Sequence, residues 1–211
     1  YGTRPELIKL FPLINIFKEN NIDHKTIFTG QHEDLIKEFE NLTHRPDFVL
    51  EKTMKHKQSI NSLIYKIINE SQKIINSYDC KVIIQGDAAS SFAVALSAFN
   101  EGKEVIHVEA GLRTHNLRSP FPEEGFRKMI SHISNIHFCP TIKSVENLKN
   151  EGITENVHLV GNTIVDSCAQ IIEKGESSDY LNELISRNDD YYLCTLPVSY
   201  THLRAHETTR Y

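Results

Sequence analysis

Short β-branched runs alternate along this chain with longer segments of helical spacing, and no other feature restricts its fold as much. The runs are Lys25-Thr26-Ile27-Phe28, Lys81-Val82-Ile83-Ile84, Glu104-Val105-Ile106-His107-Val108, Ile136-His137-Phe138, Val157-His158-Leu159-Val160 and Tyr191-Tyr192-Leu193-Cys194. Apolar residues at helical spacing fall between them: Leu7, Ile8, Phe11, Ile14 and Phe17 after Pro5, then Leu35, Ile36 and Phe39, then a long stripe from Ile60 to Ile75. Phe92, Val94, Ala95 and Phe99 mark a helix buried on most sides, and Val145, Leu148, Ile164, Val165, Cys168 and Ile171 continue the alternation. Near-continuous apolar strands separated by helices predict an α/β fold, a doubly wound parallel sheet with helices on both faces.

Composition narrows the function classes. With 23 Lys+Arg against 28 Asp+Glu, the net charge is −5. The basic excess of a general nucleic-acid binder is absent. No apolar run approaches the ~18 residues of a membrane span. The opening residues do not read as a signal peptide, because no charged segment precedes an apolar stretch. Cys80, Cys139, Cys168 and Cys194 have no metal-ligand spacing, and the histidines form no HExxH pair. The cysteines read as reduced thiols of a cytosolic protein, and no metal site is expected. Neither GxxxxGK[ST] nor GxGxxG occurs, so ATPase and NAD chemistry are not supported.

In an open α/β sheet, ligands bind beyond the carboxyl ends of the strands. Gln85-Gly86-Asp87 follows one strand, and Asp87 is either a helix N-cap or a carboxylate aimed into the crevice. Glu109-Ala110-Gly111-Leu112-Arg113 follows the next, and Glu109 is either ion-paired to Arg113 or functional. Ser119-Pro120-Phe121-Pro122-Glu123-Glu124 enters a helix carrying Arg127, and its acidic pair either serves the helix dipole or holds a third carboxylate over the crevice. Three such carboxylates could supply a general acid and a general base, because neighbouring like charges separate their pKa values. Gly2-Thr3-Arg4-Pro5, with Lys9, and Gly161-Asn162-Thr163 open helices where an anion could sit.

Together the motifs GTRPE (Gly2–Glu6), GQH (Gly30–His32), QGD (Gln85–Asp87), HVEAGLRT (His107–Thr114), SPFPEE (Ser119–Glu124), HFCPT (His137–Thr141) and VGNTIVD (Val160–Asp166) resemble the non-hydrolysing UDP-N-acetylglucosamine 2-epimerases. The resemblance runs from Tyr1 to about Leu196. It implies a Rossmann-like domain, the N-terminal half of a two-domain GT-B-type architecture. It also implies interconversion of UDP-N-acetylglucosamine and UDP-N-acetylmannosamine: the C2 proton is removed, UDP is eliminated, and UDP adds back to 2-acetamidoglucal. No cofactor is required. Carried over by motif, Asp87, Glu109 and Glu123 are the acid/base carboxylates, and Arg4, Lys9, Arg113 and Asn162 contact substrate. Gln31, His32 and Lys57 fall where some members bind a second, activating UDP-N-acetylglucosamine. The implied parent is a cytoplasmic homodimer that binds neither nucleic acid nor membrane. Two other readings are a GT-B-type sugar-nucleotide glycosyltransferase, which would not need the Glu109/Glu123 pair, and a non-catalytic UDP-sugar-binding fragment.

The resemblance also has departures. No strand precedes Gly2, Ala88 stands where the family has threonine, and Pro197-Val198-Ser199 follows Thr195-Leu196 where the family continues with His-Arg-Arg-Glu-Asn. The expected organisation is a Rossmann-like domain over residues 1–175 lacking its first strand, a connection over 176–196, and a non-native or disordered tail over 197–211. This chain alone is expected to be inactive. The tail lacks Lys, Ile and Asn and shows no helical or strand period. Deleting residues 197–211 is therefore expected to leave the melting temperature unchanged in a thermal scan. A fall of several degrees would show that the tail is integral to the fold.

Overall fold

A computed structural model describes residues 1–30, 45–50, 53, 58–174, 182–183 and 186–187. The chain divides into two units, Tyr1–Glu173 and Lys174–Tyr211, and the elements below belong to the first except for Lys174, the last residue of the last helix. In order they are α1 (Arg4–Glu19), β1 (Ile27–Phe28), β2 (Phe48–Val49), α2 (Ile60–Ile75), β3 (Val82–Gln85), α3 (Ala89–Asn100), β4 (Val105–Val108), α4 (Glu123–Ile133), β5 (Ile136–Cys139), α5 (Ile142–Asn150), β6 (Val157–Leu159) and α6 (Thr163–Lys174). The expected helix around Leu35 and the expected strand at Tyr191–Cys194 lie outside the described residues.

Every strand pairing is parallel. β3-β4-β5-β6 form one sheet in that order, and β1 pairs with β2 in a second. Gln85 pairs with Val108, and Val108 with Phe138, so the carboxyl ends of three strands are level. Whatever follows each strand is thereby delivered to one edge of the sheet. The strands end at Gln85, Val108 and Cys139, where the apolar runs give way to polar turns. β2 was not anticipated, since two residues are too few to show a period.

Two groups of helices cover the sheet. α2 buries Leu63, Ile67, Ser71 and Ile75, a stripe spaced by four residues, and Ser59 caps it by accepting from the Ser62 N–H at 3.2 Å. α3 is lined with small residues, and Ala93, Ala95 and Ala98 have no exposed surface. That lets it lie close between α2 and α4, with Phe92 stacked on Phe126 at 4.9 Å. Elsewhere Leu148 of α5 packs with Ala110 and Cys139 in a smaller cluster. α6 is tied to α1, with Ser167 Oγ donating to the Ile8 carbonyl at 2.5 Å and Asn15 Nδ2 to Gln170 Oε1 at 3.0 Å.

Glu6 fixes the entry of α1. Its buried carboxylate accepts the N–H groups of Gly2 (2.6 Å) and Thr3 (2.7 Å) and the hydroxyls of Ser90 (3.3 Å) and Ser91. One side chain thus caps α1 and fastens it to the start of α3. Glu6→Ala strands buried donors on both helices, and the expected loss is about 2–3 kcal/mol in urea unfolding. A loss below about 0.5 kcal/mol, the ordinary surface-substitution range, would show that the junction is held by other contacts.

Candidate active site

The first carboxylate follows β3. Gly86 takes φ +72°, a conformation that favours glycine, and a Cβ there would meet nothing nearer than Glu109 Oε2 at 4.0 Å. This turn delivers Asp87, but not as a helix cap. Ala88 is the N-cap of α3, and the Asp87 carboxylate is instead ion-paired to Arg127 Nε of α4. Burial pushes the Asp87 carboxyl above its ordinary value; Arg127 opposes this, and the nearby charges of Glu123 and Glu109 push it further up. Glu123 is the first residue of α4, and its charge is among those acting on Asp87.

The second carboxylate leaves β4 with a left-handed backbone. Glu109 has φ +67°, an uncommon conformation for a residue with a side chain, held in place by its surroundings. Three elements supply those surroundings. Lys9 Nζ from α1 reaches both carboxylate oxygens at 2.7 and 2.6 Å, Asn162 Nδ2 donates to Oε1 at 3.0 Å, and Gln85 Nε2 at the end of β3 donates to Oε2. Glu109 is 11% exposed and Lys9 23%. The pair is thus shielded but reachable, and the carboxylate has several donors.

Beneath these groups lie residues that the sequence reading did not single out for roles of their own. Glu124 has no exposed side-chain surface and accepts from Thr114 N (3.0 Å), His115 N (2.9 Å) and Arg127 Nη1 (3.1 Å). Burial raises its carboxyl, but these donors outweigh burial and hold it below the ordinary value. Arg127 thereby bridges Asp87 and Glu124. His107 donates from Nε2 to the Gly86 carbonyl at 2.8 Å, bracing the turn that carries Asp87. Burial pushes this imidazole down to about 3, so it stays neutral. A fully buried charged residue needs a partner, and a SPFPEE segment followed by an arginine three residues on was the available sign of the Glu124–Arg127 pair.

Two expectations are corrected. Arg113 does not pair with Glu109. Its side chain has no exposed surface and is committed to Glu151 (2.7 Å), Ser131 Oγ (2.9 Å) and the Leu112 carbonyl (2.8 Å). Gly111, two residues before it, takes φ +83°, and a Cβ there would lie 2.3 Å from the Ser144 carbonyl oxygen. Nor is the N-terminus of α1 an open anion site, because Glu6 already occupies the Gly2 and Thr3 N–H groups. Arg4 sits exposed on the first turn of α1, while Lys9 and Asn162 both converge on Glu109. Asn162 also caps α6, its Oδ1 accepting from Ile164 N at 3.1 Å. Gln31, His32 and Lys57 lie outside the described residues. Among the described residues no group of three or more His, Cys, Asp or Glu could hold a metal ion, and no helix is long and apolar enough to cross a membrane.

A parallel sheet flanked by helices, with carboxylates following the carboxyl ends of its strands, defines an α/β, Rossmann-like protein. Comparison with known proteins identifies the family. The sequence profile of the UDP-N-acetylglucosamine 2-epimerases matches residues 15–202, and the chain belongs to that family. It is 38% identical over 192 residues to the UDP-N-acetylglucosamine 2-epimerase of Salmonella borreze, covering 88% of this chain and 50% of the relative. It is 36% identical over 178 residues to that of Campylobacter jejuni, covering 82% and 46%. The Neisseria meningitidis UDP-GlcNAc 2-epimerase structure, bound to UDP-GlcNAc, superposes with a TM-score of 0.76 at 37% identity, over 82% of this chain and 48% of that one. The Methanocaldococcus jannaschii enzyme in complex with UDP-GlcNAc and UDP gives 0.78 at 32% identity, over 90% and 52%. The chain spans about half the length of the relatives it matches.

The raised pKa of Asp87 has a sign for stability. Its favourable contribution is present below the unfolded-state value near 3.8 and is lost as pH rises through the folded-state value. Glu124 acts oppositely: its contribution is present above the unfolded-state value near 4.5 and is lost as pH falls through the folded-state value. Arg127→Met removes the charge that restrains Asp87, so carbon-detected NMR titration should find the Asp87 midpoint higher still than in the parent chain. An unchanged or lower midpoint would show that Arg127 does not govern that carboxyl.

Proposed function

We propose that the whole protein from which this half derives is a non-hydrolysing UDP-N-acetylglucosamine 2-epimerase that interconverts UDP-N-acetylglucosamine and UDP-N-acetylmannosamine. The observation that carries the proposal is that Asp87 and Glu109 follow the level carboxyl ends of the paired strands β3 and β4, Asp87 ion-paired to Arg127 and Glu109 to Lys9. Family membership, and the UDP-GlcNAc bound to the Neisseria meningitidis relative, support the choice of substrate.

The reaction needs a base to take the sugar C2 proton and an acid to return a proton on the opposite face. Groups in one pocket divide such roles when their environments separate their affinities for protons. Glu109, held by Lys9, is the carboxylate assigned to the base role on this reading. Asp87, in a setting that favours its protonated form, is set to deliver a proton, with Glu123 as its neighbouring charge. Departure of UDP leaves 2-acetamidoglucal, and re-addition requires both fragments to stay in a closed cleft from which water is kept out. The two-domain GT-B-type architecture supplies the second wall, so turnover belongs to the whole protein, a cytoplasmic homodimer on this reading.

In the full-length protein, Glu109→Gln is expected to lower turnover by about 10²–10⁴-fold, the usual contribution of a positioned proton-transfer group, while UDP binding changes little. Solvent deuterium entering C2 at the parent rate would remove Glu109 from the role. Transfer of N-acetylglucosamine to an added acceptor, without epimerisation, would favour the glycosyltransferase reading.

A further inference from the structure

Gln85 ends a strand whose other residues, Val82, Ile83 and Ile84, are aliphatic, and it is itself only 3% exposed. An amide buried there is costly unless it finds a partner. Gln85 is in register with Val108, the last residue of β4. Alternation along β4 would send the next residue, Glu109, to the opposite face of the sheet. The left-handed backbone of Glu109 cancels that alternation, and its carboxylate meets the Gln85 side chain, whose Nε2 donates to Oε2.

Both oxygens of Glu109 are doubly engaged. Oε1 accepts from Lys9 and Asn162, and Oε2 from Lys9 and Gln85. A carboxylate offers about four lone-pair sites in all, so a base held in this way has no site left for an incoming proton. One donor has to step back. Lys9 is the one able to do so, since its ammonium rides on a flexible four-carbon stem and its side chain is 23% exposed. Gln85 is pinned: its backbone carbonyl accepts from Ser91 Oγ at 2.7 Å, and its strand position is fixed by pairing with β4. Asn162 is held as well, its Oδ1 accepting from Ile164 N at 3.1 Å.

We propose that Gln85 is a positioning residue for the base: with Asn162 it keeps the Glu109 carboxylate in one orientation while Lys9 steps back and a lone pair opens to the sugar C2 proton. The proposal rests on the base role given to Glu109 above. In that step the C2–H bond breaks and its electron pair becomes the second bond between C1 and C2. The C1–O pair leaves with UDP, and the proton stays on Glu109. A carboxylate that swung free when Lys9 withdrew would lose the near-attack geometry the transfer needs. A neutral amide suits the task, because it fixes an oxygen without the positive charge that opposes protonation.

On the chain as given, nitrogen-15 NMR follows the Gln85 side-chain amide proton directed at Glu109. Glu109→Ala should move this proton upfield and speed its exchange with water, while Lys9→Met should leave it in place. Its release by Lys9→Met would show that Gln85 does not hold the carboxylate by itself, and the proposal would fall. In the full-length protein, Gln85→Met keeps the side-chain length and removes the donor. It should lower kcat about tenfold or more, the worth of a hydrogen bond to a charged group, and leave KM for UDP-N-acetylglucosamine unchanged. In a Glu109→Gln background the same substitution should cost nothing further, because no base is left to hold. A parent-like kcat in Gln85→Met, or a raised KM with kcat unchanged, would overturn the proposal. So would an equal loss in both backgrounds, which would mark the role as merely structural. If Glu109→Gln alone keeps the parent rate, the base assignment itself fails and the proposal with it, a result separate from the other three.

Discussion

The carboxylate of Glu109 is the point on which the functional edge of the sheet depends. It gathers Lys9 from α1, Gln85 from the end of β3 and Asn162 from the cap of α6, three elements far apart in sequence. A buried carboxylate without donors is costly, so each of these groups is drawn inward by it. The same interactions hold Glu109 in a left-handed backbone conformation that a non-glycine residue does not take without support. The donors that make the buried carboxylate tolerable also fix its position beyond the end of β4.

A second network lies below and works by different means. Glu124 is sealed from solvent and binds the backbone of the loop after β4, while Arg127 joins it to Asp87. His107 contributes as a neutral donor to the turn carrying Asp87. Arg113 and Glu151 anchor the far end of the same loop with a buried ion pair. Glu124 and Arg113 have no exposed side-chain surface, and they fix the loop from within. Charges buried in this way are strongly destabilising when one partner is lost, which ties the loop geometry to the stability of the domain.

The two sheets illustrate a different constraint. A two-stranded ribbon of two residues per strand has little stability alone, yet β1 and β2 are held beside α1 and the main sheet. Ile27 and Tyr1 on one side and β3 on the other frame a space lined by helix side chains. The shape of that space is set by strand spacing and helix packing rather than by any local motif.

Periodicity and punctuation in the sequence were enough to place α1, α2 and α3 and the ends of β3, β4 and β5, because apolar burial imposes a local pattern that a turn residue interrupts. They also marked Asp87 and Glu109 as the residues that follow neighbouring strands. β2 stayed hidden because two residues carry no period. Whether Asp87 capped a helix and whether Glu109 met Arg113 were left open by the sequence. The tertiary structure decided both, giving Asp87 to Arg127 and Glu109 to Lys9, with Arg113 sealed against Glu151. The reason is physical: burial leaves its mark on adjacent residues, whereas the partner of a charge is chosen by whichever elements the crossovers bring alongside. Lys9 and Glu109 stand 100 residues apart, and only the folding of α1 against the edge of the sheet makes them neighbours.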